Sequence, residues 1–244
     1  FEDLAGNPYA GIADNSTWNF VTEDVAAPVV SSLSPLDDAT GVGINASQTT
    51  IILRITAEGA SEEECDAIIE PTVTIIRNCL GTLVFGEGDD QLQHAVVRLL
   101  QRKRKTLATA EWGTAGLVCD WLGDLAQGAG HYLGGVVAPD ENTLRRLLDV
   151  PDELISQHSA ISAEVARAMA AGCRQRFGAD YGLAVSRFPH FDPSAPEPKP
   201  MFVALAGEQG VEVQRFPYTG HPATLKVFSA KRALNVARLA ILEE

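Results

Sequence analysis

The residues best suited to chemistry lie in one stretch near the middle of the chain, residues 107–117. A β-prone run ends at Glu111 and continues through Gly113, Thr114 and Gly116 into a segment whose apolar residues recur at helical spacing. A strand–turn–helix junction presents backbone N–H groups at the start of the helix, where an anion or a developing negative charge is stabilised. The turn therefore predicts a ligand site, and its carboxylate and hydroxyl are candidate catalytic groups.

A second candidate segment is the long irregular connection at residues 187–199, which is rich in proline and follows a predicted strand ending at Ser186. Long loops in compact α/β domains are often functional, and ligands bind beyond the carboxyl ends of the strands. We therefore expect Ser186 and Arg187 to lie beside the turn. His190 could serve as a substitute base, although an isolated loop histidine is more often a surface residue.

The elements that must position these residues alternate between strand and helix. Strands are predicted at 106–110, 132–138, 181–186, 201–206 and 211–218, and helices near 113–125, 141–148, 163–177 and 221–242. The last two strands form an antiparallel hairpin, whereas connections through helices join mainly parallel strands. The predicted fold class is α/β, with a mixed, mainly parallel sheet and helices on both faces.

A small α+β unit is predicted at residues 49–90, before that domain. Its elements are a strand at 51–56, a helix and a short strand at 82–85. A second amphipathic helix follows, with Leu92, Val96, Leu99 and Leu100 on its apolar face. Ser61 and Glu64 form a capping box at the start of the first helix, and Gly81 ends it. Pro71 must either kink or split that helix.

The first 48 residues differ in character, because seven acidic residues precede the first basic one, Arg54. Residues 16–22 alternate like a strand, and residues 27–42 contain a further strand and turn, so both resemble pieces of bacterial immunoglobulin-like modules. Such a sandwich needs about seven strands in roughly 100 residues. We therefore expect residues 1–48 to be extended or poorly ordered, in a fragment or processed product that begins at Phe1.

Composition narrows the classes of function. Hydrophobic residues make up 45% and charged residues 21% of the 244, as in soluble globular proteins, and no apolar stretch is long enough to span a bilayer. The net charge of −13 argues against nucleic acid and anionic membranes as partners. The basic run at 102–105 is interpreted as a solvated helix C-terminus. Four widely spaced cysteines predict free, buried thiols and no metal site.

Six short stretches occur in a fixed order from residue 54 onward. They are RITAEG at 54–59, LGTLVFG at 80–86, TAE at 109–111, LGGVVA at 133–138, VARAM at 165–169 and LAG at 205–207. Together they resemble the CinA family of competence/damage-inducible proteins. The resemblance implies a linker unit at 49–90 and a C-terminal domain at 91–244. In this family that domain is an oligomeric, cytoplasmic nicotinamide mononucleotide deamidase that needs no cofactor.

The departures from the family pattern fall on the chemistry. The family sequence Ser-Cys-Thr-Gly-Gly is Trp-Gly-Thr-Ala-Gly here, at 112–116, so the serine is absent. Residues 139–144 lack the family tyrosine and lysine, and residues 186–191 replace a glycine-rich turn. The family Gly-Asp-Arg before the last helix is Gly-His-Pro at 220–222, which leaves Lys226 as the nearest cation.

What remains of the pattern predicts two groups of site residues. The catalytic candidates are Glu111, Thr114 and Ser186, and the ligand-binding candidates are Trp112, Gly113, Gly116, Gly134, Gly135, Arg187 and Lys226. A threonine hydroxyl without a positioned base is a poor nucleophile at neutral pH. Trp112 either fills the vacated pocket or stacks on a ligand. Asp140 is predicted to cap a helix rather than to act in catalysis.

We therefore expect a CinA-type nicotinamide-nucleotide amidohydrolase-like domain that is catalytically impaired and retained as a nucleotide-binding or interaction module. A first alternative is an active amidohydrolase that uses Thr114, Ser186 or a water held by Glu111, with Arg187 or Lys226 replacing the lost cations. A second alternative is a surface-protein fragment with immunoglobulin-like modules. The expected partners are a pyridine nucleotide and further copies of this chain, and the expected location of the CinA-like part is the cytoplasm.

Overall fold

The structure is a computed structural model that describes residues 40–47, 49–125, 130–192 and 196–243. It divides into two compact units, Phe1–Val84 and Phe85–Glu244, which are described separately. The predicted immunoglobulin-like pieces fall largely on residues 1–39 and so lie outside the described residues. Within the described ranges, no helix is both long and apolar enough to cross a membrane.

In the part of the first unit that the structure describes, a β-hairpin is followed by one long helix. Its elements are β1 (Thr40–Ser47), β2 (Thr50–Ala57) and α1 (Glu62–Leu80), and the two strands pair antiparallel. The Ser61 hydroxyl accepts the Glu64 N–H at the start of α1, and Gly81 ends the helix with a φ of 51°, as the sequence predicted. Local capping chemistry therefore sets both ends of this helix.

Two details of this unit differ from the predictions. The strand predicted at 82–85 is wrong, because Gly81–Leu83 form a 3-10 turn in which the Val84 N–H donates to the Gly81 carbonyl at 3.2 Å. This turn leaves too little extended backbone to pair with a strand. At Pro71, where the sequence allowed a kink or a split, α1 is not split. The exposed proline removes one backbone donor, and the helix continues past it.

The second unit is built on a five-stranded sheet. Its strands are β3 (Leu107–Glu111), β4 (Tyr132–Val137), β5 (Tyr181–Val185), β6 (Pro200–Gly207) and β7 (Gly210–Pro217). Their order across the sheet is β4-β3-β5-β6-β7. Strand β3 is parallel to β4 and β5, whereas β6 is antiparallel to β5 and β7. The predicted mixed sheet and its terminal hairpin are confirmed.

Helices cover both faces of this sheet. They are α2 (Leu92–Lys103), α3 (Leu117–Leu125), α4 (Glu141–Leu148), α5 (Asp152–His158), α6 (Ala163–Phe177) and α7 (Pro222–Glu243). Buried apolar residues of α2, α3 and α7 form one hydrophobic cluster with the sheet, and those of α4, α5 and α6 form a second. Strands β3 and β5 are buried along their whole length, as expected for central strands covered on both faces.

The helix boundaries depart from prediction in two places. Helix α3 begins at Leu117 rather than at 113, because Ala115 and Gly116 have φ values of 52° and 92°, which no right-handed helix contains. Helix α5 was not predicted, since its seven residues after Pro151 are too few to display a helical repeat of apolar residues. Both differences lie in short connections, where local backbone geometry outweighs apolar periodicity.

Candidate functional site

The candidate site lies where β3 and β5 leave the sheet. Because the strands are parallel and Glu111 pairs with Val185, the segments that follow them emerge at the same edge. The Trp112 N–H donates to the Val185 carbonyl and the Gly113 N–H to the Ser186 carbonyl, both at 3.1 Å. The predicted proximity of the turn and the 187–199 connection is therefore observed, and the sheet itself produces it.

Glu111 lies at the centre of this arrangement and is 1% exposed. Its carboxylate accepts the N–H groups of Gly116 at 3.1 Å, Val118 at 3.0 Å and Cys119 at 2.7 Å. A carboxylate at a helix N-terminus satisfies the free N–H groups and interacts favourably with the helix dipole. The donors that the sequence offered to a bound anion are thus taken by a side chain of the same strand.

Thr114 is fully buried, and its hydroxyl Oγ1 makes no hydrogen bond. Its carbonyl accepts the Leu117 N–H at 3.2 Å, so the residue forms part of the turn that leads into α3. Deprotonation of a hydroxyl requires a base within hydrogen-bond distance. Thr114 has no such neighbour in this structure.

Ser186 is also fully buried, but its hydroxyl is engaged on both sides. The hydroxyl accepts the Phe202 N–H at 3.0 Å and donates to the Arg187 carbonyl at 3.1 Å. The backbone N–H of Ser186 in turn donates to the Phe202 carbonyl at 3.0 Å. These bonds extend the pairing of β5 with β6, so the serine fixes the strand end from which the connection departs.

An aromatic cluster covers the turn. A Cβ atom built on Gly113 would lie 2.3 Å from Cδ1 of Phe188, so the phenyl ring rests directly on the glycine backbone. The ring of Phe188 packs against Tyr218 with centroids 4.7 Å apart, and Phe191 meets Tyr218 edge-on at 6.4 Å. The large side chain of Phe188 therefore occupies the space above the turn.

Trp112 and Arg187 form a pair at the rim of this cluster. The Arg187 guanidinium carbon lies 5.6 Å from the Trp112 ring centroid, within the range of cation–π attraction. Trp112 is half-buried and packs against the hydrophobic cluster of α4, α5 and α6, whereas Arg187 is exposed. The tryptophan thus fills space on one side and meets a cation on the other.

Three further glycines that were predicted to bind a ligand, Gly116, Gly134 and Gly135, instead allow close packing. Gly134 and Gly135 lie within β4, and a Cβ on Gly135 would meet Thr109 Oγ1 at 2.2 Å. Gly135 pairs with Thr109, two residues before the end of β3, or about 7 Å from the site edge. Gly116 needs its left-handed φ of 92° to complete the turn. These contacts account for the glycines without a ligand.

The other predicted side chains lie outside this arrangement. Lys226 is exposed near the start of α7, and His190 is exposed in the connection after β5. Asp140 caps α4 as predicted, because its carboxylate accepts the Thr143 N–H at 2.7 Å and hydroxyl at 2.8 Å. These bonds hold the pKa of Asp140 below its usual range. A proton-transfer role at neutral pH would require a raised pKa instead.

A partly buried polar pair behind the turn was not predicted from the sequence. The hydroxyls of Thr109 and Tyr132 lie 2.7 Å apart and join β3 to β4. Burial, followed by a hydrogen bond with the Cys119 thiol, raises the pKa of Tyr132 far above its usual range. The phenol therefore stays protonated and cannot act as a base. A tyrosine at the start of a strand carries no sequence signal for such a role.

The four cysteines are free, as predicted, although only Cys173 is buried. Within the described ranges, no group of three or more histidine, cysteine, aspartate or glutamate side chains could hold a metal ion. A cleft of about 400 Å³ lies elsewhere, between α4 and α5. Its wall includes Arg145, which pairs with Glu141 at 3.2 Å and with Asp152. None of the predicted site residues lines this cleft.

Comparison of the sequence with known protein families gives two matches. The profile of the CinA C-terminal domain matches residues 89–241, and the profile of the damage-inducible protein CinA KH domain matches residues 29–86. The second match begins inside the segment that the sequence compared with immunoglobulin-like modules. That comparison stays a prediction.

The relatives and solved structures agree with these matches. A CinA-like protein of Geobacter sulfurreducens is 34% identical over 78% of this chain and 46% of its own length. One from Synechococcus sp. (strain CC9902) is 33% identical over 97% and 55%. The chain thus spans about half the length of these curated relatives. The competence-damaged protein (CinA) superfamily protein of Klebsiella pneumoniae 700603 superposes with a TM-score of 0.57 at 26% identity, covering 63% of this chain and 97% of that one.

Proposed function

The chain belongs to the CinA C-terminal domain family, and from that premise we propose that its second unit is a nicotinamide-nucleotide amidohydrolase-like domain that has lost the hydrolytic reaction. The domain is retained as a nucleotide-binding or interaction module. The reaction concerned is hydrolysis of the carboxamide of nicotinamide mononucleotide, which the sequence resemblance implies. That chemistry needs an activated nucleophile or water and donors for a tetrahedral oxyanion.

The observation that carries the proposal is the isolated hydroxyl of Thr114. It is the one hydroxyl that the family motif and this chain share at the turn, and it is buried without a hydrogen-bond partner. Without a base, a hydroxyl with an alcohol-like pKa is almost entirely un-ionised and weakly nucleophilic. Catalysis through Thr114 is therefore unsupported.

The two other catalytic candidates are committed to structure. The Glu111 carboxylate accepts three backbone N–H groups, and the Ser186 hydroxyl makes two hydrogen bonds. A Glu111-held water would have to compete with the bonds that begin α3. Ser186 would have to release the Phe202 N–H before it could attack a substrate. The active-enzyme alternative thus requires rearrangement at Glu111 or at Ser186 if either residue is to act.

The donors for an oxyanion are occupied as well. The Gly113 N–H donates to Ser186, and the N–H groups of Gly116 and Val118 donate to Glu111. Loss of a single oxyanion donor lowers kcat by about 10²–10³ in other hydrolases. Phe188 also fills the volume above Gly113. Together these contacts support loss of the reaction with retention of the fold.

A remaining binding role would fall on Trp112 and Arg187. Arg187 is exposed beside a half-buried indole, so the pair offers a cation for a phosphate and part of an aromatic ring for a base. Titration of the full chain with nicotinamide mononucleotide, followed by calorimetry and by ammonia release, tests the proposal. We expect no ammonia, and any binding should weaken about tenfold in Arg187→Glu but not in the exposed control Arg215→Glu.

Three outcomes of this experiment distinguish a nucleotide-binding module, an interaction module and an active enzyme. Binding without ammonia release supports a nucleotide-binding module. The absence of both supports an interaction module. Ammonia release by the unmodified chain contradicts the proposal, whatever the binding result.

A further inference from the structure

An aromatic ring of the chain itself lies in the candidate site. Three carbons along one side of the Phe188 ring, Cγ, Cδ1 and Cε1, occupy the place that a Cβ of Gly113 would take. The same ring packs against Tyr218 with centroids 4.7 Å apart and planes tilted by 31°. We call the space bounded by Gly113 and Tyr218 the ring slot. It fits a flat six-membered aromatic ring, because glycine sends no side chain into that space.

The walls of the ring slot are held by backbone hydrogen bonds in which Phe188 takes no part. The Gly113 N–H donates to the Ser186 carbonyl at 3.1 Å, which fixes the turn to the end of β5. The Tyr218 N–H donates to the Lys199 carbonyl at 2.9 Å, which fixes the tyrosine to the residue before β6. We therefore expect the ring slot to keep its shape when the Phe188 ring is absent.

The Phe188 ring can leave the ring slot while its backbone stays in place. The Arg187 carbonyl accepts the Ser186 hydroxyl at 3.1 Å and Pro189 is buried, so the chain is held on both sides of Phe188. The ring itself is only half-buried, so part of it meets solvent. Rotation about the Cα–Cβ bond to another staggered rotamer moves the ring off Gly113. Exposed side chains change rotamer within picoseconds to nanoseconds, so this exchange needs no movement of the main chain.

The residues beside the ring slot indicate what else a ligand would carry. Trp112 directly precedes Gly113 and Arg187 directly precedes Phe188, and the Arg187 guanidinium carbon lies 5.6 Å from the Trp112 ring centroid. Arg187 is exposed, so its charge is accessible to a ligand that reaches the slot. Guanidinium groups bind phosphate and carboxylate groups. These neighbours favour a flat aromatic ring that carries an anionic group.

We propose that Phe188 is an intramolecular occupant of the ring slot, and that the aromatic ring of a bound ligand takes its place. This inference rests on the proposed function, because it treats the turn as a nucleotide-binding site. Phe188 then lowers ligand affinity, since the apparent Kd equals the intrinsic Kd divided by the fraction of molecules with an open slot. If about one molecule in ten is open, removal of the ring tightens binding about tenfold. A phenylalanine that served packing alone would not compete with a ligand.

Calorimetric titration of the full chain with three probes tests this inference. The probes are nicotinamide mononucleotide, nicotinamide, which has the ring without the phosphate, and ribose 5-phosphate, which has the phosphate without the ring. Phe188→Ala should bind the two ring-bearing probes about tenfold more tightly than the unmodified chain does. Its affinity for ribose 5-phosphate should change less than about twofold, because that probe does not compete for the ring slot.

Two further variants control for loss of an aromatic ring and for loss of the fold. Phe177→Ala removes another half-buried ring, at the end of α6, and should change none of the three affinities by more than about twofold. Phe188→Leu keeps part of the apolar volume in the ring slot, so it should give a smaller gain than Phe188→Ala for the two ring-bearing probes. Circular dichroism checks that each variant is folded.

Several results would overturn the inference. They are the absence of binding of both ring-bearing probes to the Phe188 variants, equal affinities in those variants and the unmodified chain, or an equal gain for ribose 5-phosphate or in Phe177→Ala. Binding without ammonia release that Phe188→Ala does not tighten would overturn this inference alone and leave the proposed function standing. Ammonia release by the unmodified chain would contradict the proposed function, whereas the comparison of affinities would still decide whether Phe188 competes with a ligand.

Discussion

Glu111 shows how one residue can be located correctly and yet have a different role from the one expected. The sequence identified its position at the end of a strand and made it a catalytic candidate. The structure shows its carboxylate bonded to N–H groups five to eight residues later. The turn that leads to those N–H groups has left-handed backbone at Ala115 and Gly116, and the residue type gave no indication of this at Ala115. A role that depends on such local backbone geometry cannot be predicted from the spacing of residues along the sequence.

Replacement of Glu111 should therefore destabilise the fold. Glu111→Ala leaves three N–H groups at the start of α3 without their acceptor, and we expect a loss of about 3 kcal/mol in the free energy of unfolding. Urea denaturation measures this loss. Glu212→Ala, at an exposed position of β7, is the matched control. A change below about 0.5 kcal/mol in Glu111→Ala would contradict the role as a cap.

The contact between Gly113 and Phe188 predicts a non-additive pair of substitutions. Gly113→Ala brings a Cβ against the Phe188 ring and should cost about 1–3 kcal/mol. Phe188→Ala should cost about 2 kcal/mol, because a half-buried ring is removed. In the double variant the new methyl group occupies part of the vacated space, so the cost should be at least about 1 kcal/mol less than the sum. Additive costs in urea denaturation would show that the two residues do not touch.

Among the elements, those marked by capping residues or by apolar runs were predicted well, and short segments without such signals were not. Helix α6 and helix α4 have the predicted bounds, because capping residues and leucine or alanine faces specify them. Helix α5 was missed and the strand at 82–85 was wrong, since a few residues cannot display a repeat. Strand β1 lies within residues 1–48, the segment that the sequence compared with pieces of immunoglobulin-like modules.

The cap of α4 predicts a specific pH dependence. The Thr143 N–H and hydroxyl bonds lower the pKa of Asp140 in the folded state below its ordinary value of 3.8. A lowered folded pKa contributes stability above the unfolded value, and that contribution is lost as the pH falls through the folded pKa. Asp140→Asn keeps an acceptor that does not titrate. The difference in unfolding free energy between the two proteins should be constant from about pH 7 to 5 and decrease below about pH 4.

This difference is measured by urea denaturation across the pH range. A pH-independent difference would contradict the carboxylate cap. An increase of wild-type stability relative to Asp140→Asn on acidification would contradict the sign of the pKa shift.

Gly172 in α6 and Gly123 in α3 have different surroundings, so replacing each with alanine should have opposite effects on stability. A Cβ on Gly172 would lie 2.0 Å from the Leu148 carbonyl oxygen at the end of α4, whereas Gly123 in α3 has open space. Gly172→Ala should cost more than about 2 kcal/mol, because backbone must move. Gly123→Ala should add about 0.5–1 kcal/mol, because alanine favours a helix. Thermal and urea denaturation distinguish the two, and stabilisation by Gly172→Ala would contradict the packing.

For the whole molecule, the sequence predicted the class of fold and the resemblance that the family profiles confirm. It could do so because order along the chain, apolar periodicity and short motifs persist when individual site residues change. That Phe188 fills the candidate site could be predicted from the sequence only in part. The bulk of Phe188 was visible in the sequence, but its position on Gly113 depends on β3 and β5 being neighbours.

The measurement that tests the central claim most directly is ammonia release from nicotinamide mononucleotide by the full chain and by Thr114→Val. As the Thr114 hydroxyl has no partner, the isosteric valine should leave the free energy of unfolding within about 1 kcal/mol of the unmodified value. We expect no ammonia from either protein, under conditions where a CinA deamidase with the Ser-Cys-Thr-Gly-Gly motif turns over. Turnover by the unmodified chain would contradict the loss of the reaction, and its abolition in Thr114→Val would assign that turnover to the threonine hydroxyl.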